Sequence, residues 1–167
     1  IAADSQASDL VEQVRWQVKK LEPIRSFPLV VGFSGNTGIA GRARADLNEK
    51  LTHLNMVNRL DRLRDNLKRY LSPFYEEIKR NNRDIQPWNQ AFWTINLHGL
   101  IACWVDSLPH IIEFEANGDH DTHECFHAIG SGSNTAYAIY RTLGGRELIK
   151  LDERKAIWVI LRILRTC

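Results

Sequence analysis

Leu29-Val30-Val31-Gly32-Phe33-Ser34-Gly35-Asn36-Thr37-Gly38 is the stretch on which the fold turns. Leu29 to Phe33 is a short, continuously apolar run, as a strand covered on both faces requires. Ser34 to Gly38 break the run with residues that tolerate positive φ and cap helices. A helix is predicted to begin at this turn and run to about Leu54, since Ile39, Ala43, Leu47 and Leu51 are spaced at four.

Toward the N-terminus, residues 1–8 alternate small, apolar and polar types and read as a strand running into a turn. Val14, Trp16 and Val18, followed by Lys20, predict a second strand with one apolar face from Val14 to Ile24. Toward the C-terminus, Leu60, Leu63, Leu67 and Leu71 predict a helical block from Met56 to about Asn82. Pro73 must end or kink it, and Ser72-Pro73 can equally start a fresh helix carrying Tyr75 and Ile78. Past Pro87 the character changes. Phe92–Val105 and His110–Glu115 read as a hairpin turning at Ser107-Leu108-Pro109, with a further turn at Asn117-Gly118-Asp119 and a strand from Cys125 to Ile129. Gly130-Ser131-Gly132-Ser133 opens a helix through Leu143, Gly144-Gly145 stops it, and Leu151–Leu164 forms the last helix. Helices segregated from mostly antiparallel strands indicate an α+β fold. There is no internal repeat.

At 167 residues, 44% hydrophobic and 25% charged, the chain reads as one domain, residues 1–167, and not as a disordered, collagen-like or coiled-coil protein. Its longest apolar stretches, such as Leu100–Val105, are too short to span a bilayer, so no membrane is expected. Three scattered cysteines and no apolar leader fit a reducing cytoplasm. The net charge of +2 argues neither for nor against an acidic partner. In the Arg- and Lys-rich helix Arg59–Arg80, Asp61, Asp65, Glu76 and Glu77 interleave as on a solvated face, so nucleic acid is not an expected partner. Ile1-Ala2-Ala3-Asp4 reads as the middle of a buried strand, and the closing Ile-Leu-Arg-Thr-Cys as the middle or end of a helix. The chain is therefore expected to be part of a longer polypeptide.

Four features are candidates for chemistry: Asp4, a lone charge in an apolar opening; Lys20, at the end of an alternating strand; the Ser34-Gly35 turn; and Gly130-Ser131-Gly132. Each has a bland reading as a turn cap, a solvated lysine or a simple turn before a helix. Their order and spacing are more telling. Ala-Ala-Asp-Ser-Gln-Ala-Ser around Asp4, Val-Lys-Lys-Leu around Lys20, Gly-Phe-Ser-Gly at 32–35 and Ala-Ile-Gly-Ser-Gly at 128–132 resemble the landmarks of proteasome-type β subunits. That family of N-terminal-nucleophile (Ntn) hydrolases includes the HslV-like peptidases. The sixteen positions from Asp4 to Lys20 match its pattern without a gap, and the resemblance spans nearly the whole chain.

The resemblance implies a four-layer αββα sandwich, two antiparallel sheets flanked by helices. It also implies a threonine peptidase acting on protein or peptide substrates inside a homo-oligomeric ring, with an ATPase unfoldase as candidate partner and no cofactor. The nucleophile would be an N-terminal threonine on the strand preceding Asp4. Lys20 would favour its active protonation state, Asp4 would partner Lys20, Gly35 would supply an oxyanion-stabilising N–H, and Ser131 would orient the threonine's amine. Ser8 falls where a substrate-contacting residue is often placed. The chemistry is coherent, because the threonine's own amine can serve as base and a neighbouring ammonium lowers that amine's pKa. The sequence departs from the pattern in having Ile1 where the family is already in its second strand, and in ending at Arg165-Thr166-Cys167 where an aspartate often follows the last helix. A non-catalytic ring subunit and a non-proteolytic Ntn amidohydrolase are the alternatives.

Two other groups stand out. His120, His123, Cys125 and His127 cluster, and on a strand the last three would share a face; the spacing matches no standard zinc pattern, so no metal is expected. Trp16, Trp88, Trp93, Trp104 and Trp158 are expected to fill core and subunit contacts, with Trp88 and Trp93 as interface anchors.

Overall fold

A computed structural model describes residues 2–3, 6–8, 15–17, 20–24, 29–35, 37–52, 60–81, 97–105 and 107–166. Mixed helix and antiparallel sheet make it α+β. The opening strands differ from the sequence reading. Val14–Ile24 is not one strand: β2 (Arg15–Gln17) pairs with β1 (Gln6–Ser8), whereas β3 (Leu21–Ile24) pairs with β4 (Leu29–Gly35). The alternation runs through both segments, but a period of two does not say which neighbour a strand bonds to.

β3, β4, β5 (Leu97–Val105), β6 (Leu108–Glu115) and β7 (His120–His123) form a five-stranded antiparallel sheet in chain order. Val105 pairs with Leu108, so the β5–β6 turn lies one residue earlier than Ser107-Leu108-Pro109 suggests. Ser107 takes φ 64° there, and Pro109 already belongs to β6.

The alternation of the strands decides what covers each face. Leu29, Val31 and Phe33 from β4, Leu97, Ile101, Cys103 and Val105 from β5, and Ile112 and Phe114 from β6 are buried on one face. Two helices cover it. α1 (Thr37–Thr52) contributes Ala43 and Leu47, and α2 (Leu60–Asn81) contributes Leu63, Leu67, Leu71, Phe74 and Ile78. These are the apolar stripes the three-to-four spacing predicts, each fully buried aliphatic contributing about 1.5–3 kcal/mol. α2 runs on through Pro73 instead of ending there; its packed leucine stripe outweighs the one helical hydrogen bond a proline forfeits. Phe114 lies over Gly99, where an added Cβ would collide with the ring, and meets Phe33 edge-on at 5.9 Å. This glycine is the space the aromatic ring needs.

The last third carries the largest correction. Cys125–Ile129 is not a strand: past β7 the chain is irregular until α3 (Ser133–Thr142). Phe126 stacks on Tyr140 at 4.3 Å and meets Tyr137 edge-on, so α3 holds the segment in place of a sheet partner. A 3-10 turn (Gly145–Lys150) leads to α4 (Glu153–Thr166). α4 leaves Ile157, Trp158 and Leu161 exposed, and Trp104 is exposed on β5, so neither of these two tryptophans fills the core. Trp88 and Trp93 lie outside the described residues. Among the described residues no helix is long and apolar enough to cross a membrane.

Candidate functional site

The other face of the sheet borders a cavity of about 330 Å³, within the range of small-ligand sites. Leu100, Ala102 and Ile111 form its floor, Ile160, Ile163 and Leu164 of α4 stand over it, and Lys20 and Gly130–Ser133 lie on its rim. Lys20 and Ser131, far apart in sequence, thus line one cavity. Lys20 directly precedes β3, and its carbonyl accepts the Phe33 N–H at 3.3 Å, which fixes its backbone beside the end of β4. Its side chain is half-buried, not free in bulk water.

The two glycine turns meet. Gly35 closes β4 with φ 108°, a conformation that favours glycine, and Gly130 takes φ 95°. A Cβ on Gly130 would approach Ser34 Oγ to 2.8 Å, so the 130 turn packs directly on the 34–35 turn. Ser133 N–H donates to the Gly130 carbonyl at 3.1 Å and Ala136 N–H to that of Gly132 at 2.9 Å, which sets Ser131 at the mouth of α3. Of the remaining predicted residues, Ser8 sits in β1 opposite Arg15, and Asp4 lies outside the described residues.

Beside this rim is a cluster that the sequence reading only half found. His123 and His127 stack at 3.6 Å and 14°. Glu113 Oε2 lies 2.8 Å from His127 Nε2 and 3.4 Å from His123 Nε2. His120 is turned to its own loop, 3.2 Å from the Gly118 carbonyl, and Cys125 Sγ is 3.4 Å from the Tyr140 hydroxyl, so neither joins the group. The hydrogen bond with Cys125 pushes the Tyr140 phenol up to about 12. Burial lowers the His127 pKa; Glu113 opposes that shift and His123 adds to it. Glu113 was legible only as a charge inside the apolar alternation Ile111-Ile112-Glu113-Phe114; the β6–β7 register brings it to the histidines.

A mainly antiparallel sheet with helices packed against it, and a cavity rimmed by Lys20, Ser34 and the Gly130–Ser133 turn, make this an α+β protein with a built candidate site. No family model matches the chain, and no curated protein matches it by sequence. Solved structures do. An Anbu Gly-1 mutant from Hyphomicrobium sp. strain MC1 superposes with a TM-score of 0.69 at 13% identity, covering 96% of this chain and 65% of that one. Eukaryotic HslV from Trypanosoma brucei superposes with a TM-score of 0.56 at 22% identity, covering 97% of this chain and 79% of that one. The chain thus spans just under two thirds of the Anbu chain's length. It has the proteasome β-subunit and HslV-like fold, and at these identities the likeness is one of fold.

Proposed function

We propose that this chain is the main part of a subunit of a self-compartmentalising, proteasome-like threonine peptidase, with residues 1–167 forming one domain of the four-layer sandwich. The observation that carries the reading is the meeting of Lys20, Ser34 and the Gly130–Ser133 turn around one cavity in a chain with this fold; Gly35, the next residue, is exposed and does not itself line the cavity. The nucleophile is a threonine at the mature N-terminus, outside these residues, and it enters the cavity from the strand preceding Asp4. Lys20 holds the threonine's amine in its neutral, basic form, Asp4 steadies Lys20, the Gly35 N–H receives the developing oxyanion and Ser131 orients the amine. Ser8 contacts the substrate peptide. Ile157, Trp158 and Leu161, exposed together on α4, support a ring of like subunits, since a contiguous apolar surface marks an interface. The ring works in the cytoplasm, with an ATPase unfoldase as its feeder.

The test is made on the full-length protein. Intact mass and N-terminal sequencing are expected to find a mature threonine, and an epoxyketone-type inhibitor is expected to label it. Lys20→Ala is expected to lower peptide turnover at least about 10³-fold, and Ser131→Ala about 10-fold to 100-fold. A mature chain starting at Ile1 would overturn the reading. A ring without turnover would favour the structural-subunit alternative, and a dimer that hydrolyses small amides the amidohydrolase one.

A further inference from the structure

We propose that Glu113, His123 and His127 bind a divalent transition-metal ion of the Zn²⁺ class. The site stands apart from the peptidase reading and needs none of its residues. One ligand atom from each residue lies within 4.8 Å of the others. The two imidazole nitrogens are 2.8 and 3.4 Å from one carboxylate oxygen. Bonds of about 2.0–2.2 Å in a tetrahedral shell set neighbouring ligand atoms roughly 3.3–3.5 Å apart, so the spacing to the carboxylate suits the shell once the two imidazoles turn.

His123 carries the strongest indication. Its Nε2 is closed off from solvent and makes no hydrogen bond, although it faces the carboxylate. A buried polar atom left without a partner costs about 1–3 kcal/mol, and an ion between the three groups would take its lone pair. The rings stack face to face, which sets their Nε2 lone pairs side by side, so each imidazole turns to aim its lone pair at the ion. Hydrogen bonding alone satisfies the His127–Glu113 pair and leaves His123 out, whereas one cation accepts both imidazoles and the carboxylate together.

The surroundings are those of a metal site. His127 Nδ1 is 2.8 Å from the Tyr137 hydroxyl, which orients the ring and leaves Nε2 for the ion. His98 Nδ1 stands 3.8 Å from Glu113 Oε1, on the side of the carboxylate away from the histidines. Two imidazoles and one carboxylate favour Zn²⁺, Co²⁺ or Ni²⁺ over Ca²⁺ and Mg²⁺, which take oxygen ligands. Three protein donors leave a coordination position open to water or another ligand. The three ligands come from β6, the end of β7 and the irregular segment that leads to Ser131. A bound ion therefore ties that segment to the sheet and stiffens the cavity rim.

The test is direct titration of the tag-free, chelator-treated full-length protein with Zn²⁺ by calorimetry, and with Co²⁺ by visible absorption. One equivalent of Zn²⁺ is expected to bind at roughly micromolar affinity or tighter, and Co²⁺ to give the absorption of a tetrahedral site. Glu113→Gln and His127→Gln are each expected to weaken binding roughly 100-fold or more, and Tyr137→Phe about 10-fold. His110→Gln, away from the cluster, leaves binding unchanged. Wild-type affinity no better than about millimolar, or Zn²⁺ binding that survives replacement of all three ligands, would overturn the site. The wild-type stoichiometry and Co²⁺ spectrum decide the matter even where a variant does not fold, and neither requires peptidase activity.

Discussion

Ile111 and Ile112 are adjacent on β6 and face opposite ways, and the difference between them divides the molecule. Ile112 is fully buried under the helices, in a core that among the described residues contains no buried polar side chain. Ile111 opposes Ala102 and borders the cavity, on the face that also carries Glu113, His98 and His123. The same strands thus carry a packed core on one side and a cavity with polar groups on the other. A closed face can be optimised for packing alone, whereas a face that must admit a ligand keeps polar groups and open space. Ile112→Ala is therefore expected to cost about 4 kcal/mol in urea unfolding, from lost burial plus the cavity left behind. Ile111→Ala, already next to open space, is expected to cost about 1 kcal/mol. Equal losses would break the comparison, because they would mean that the second face is as tightly covered as the first.

Two cysteines sharpen the same contrast through reactivity. Cys103 lies in the closed face, where burial pushes its thiol up from 9.0 to about 11. Cys125 is only partly buried and borders the cavity. At about pH 8 the reactive thiolate of Cys103 is reduced roughly 100-fold by that shift alone. Iodoacetamide followed by peptide mapping is expected to modify Cys125 well before Cys103, with the difference vanishing in denaturant. The raised pKa also has a signed effect on stability. The folded chain keeps a proton that the unfolded chain releases near pH 9.0, so the contribution is full below that pH and is lost as pH rises through about 11. Rapid labelling of Cys103 under native conditions would show that the closed face opens.

The closed face was the more legible of the two. Ala43, Leu47, Leu63, Leu67 and Leu71 all lie where the helical spacing puts them, because a face made by apolar side chains of local period announces itself in sequence. The run Leu29–Phe33 and the turn that ends it were legible from local composition, and the α+β class followed from the order of strands and helices. The open face was less legible, because it depends on partners distant along the chain. Glu113 meets His127 only through the register of β6 with β7 and the irregular path after His123. The segment 125–129 read as a strand because it is mostly apolar and follows a turn signal, and nothing local reveals that two tyrosines of α3 replace a sheet partner. Lys20 and Ser131 were found by motif and are joined by the cavity, but their roles rest on chemistry that spacing alone does not define.

The smallest expected effect concerns how α4, the helix over the open face, is held at its start. Asp152 precedes α4, and its carboxylate accepts the Lys155 N–H at 2.9 Å while pairing with Lys155 Nζ at 3.0 Å. The backbone bond from Lys155, then the side-chain bond, holds the Asp152 carboxyl below its ordinary 3.8. With the folded pKa depressed, the unfolded chain binds the proton first as pH falls. The stabilisation is therefore present above about pH 4 and fades as acid protonates the folded carboxylate. Asp152→Asn keeps an acceptor for the N–H and removes the charge, so its thermal midpoint is expected to fall slightly at neutral pH and converge on wild type in acid. Asp152→Ala removes both and is expected to lose more, with part of the loss remaining in acid. If both variants melt with the wild type at every pH, this cap does not hold α4, and the helix is set over the cavity by its buried Ile163 and neighbouring contacts alone.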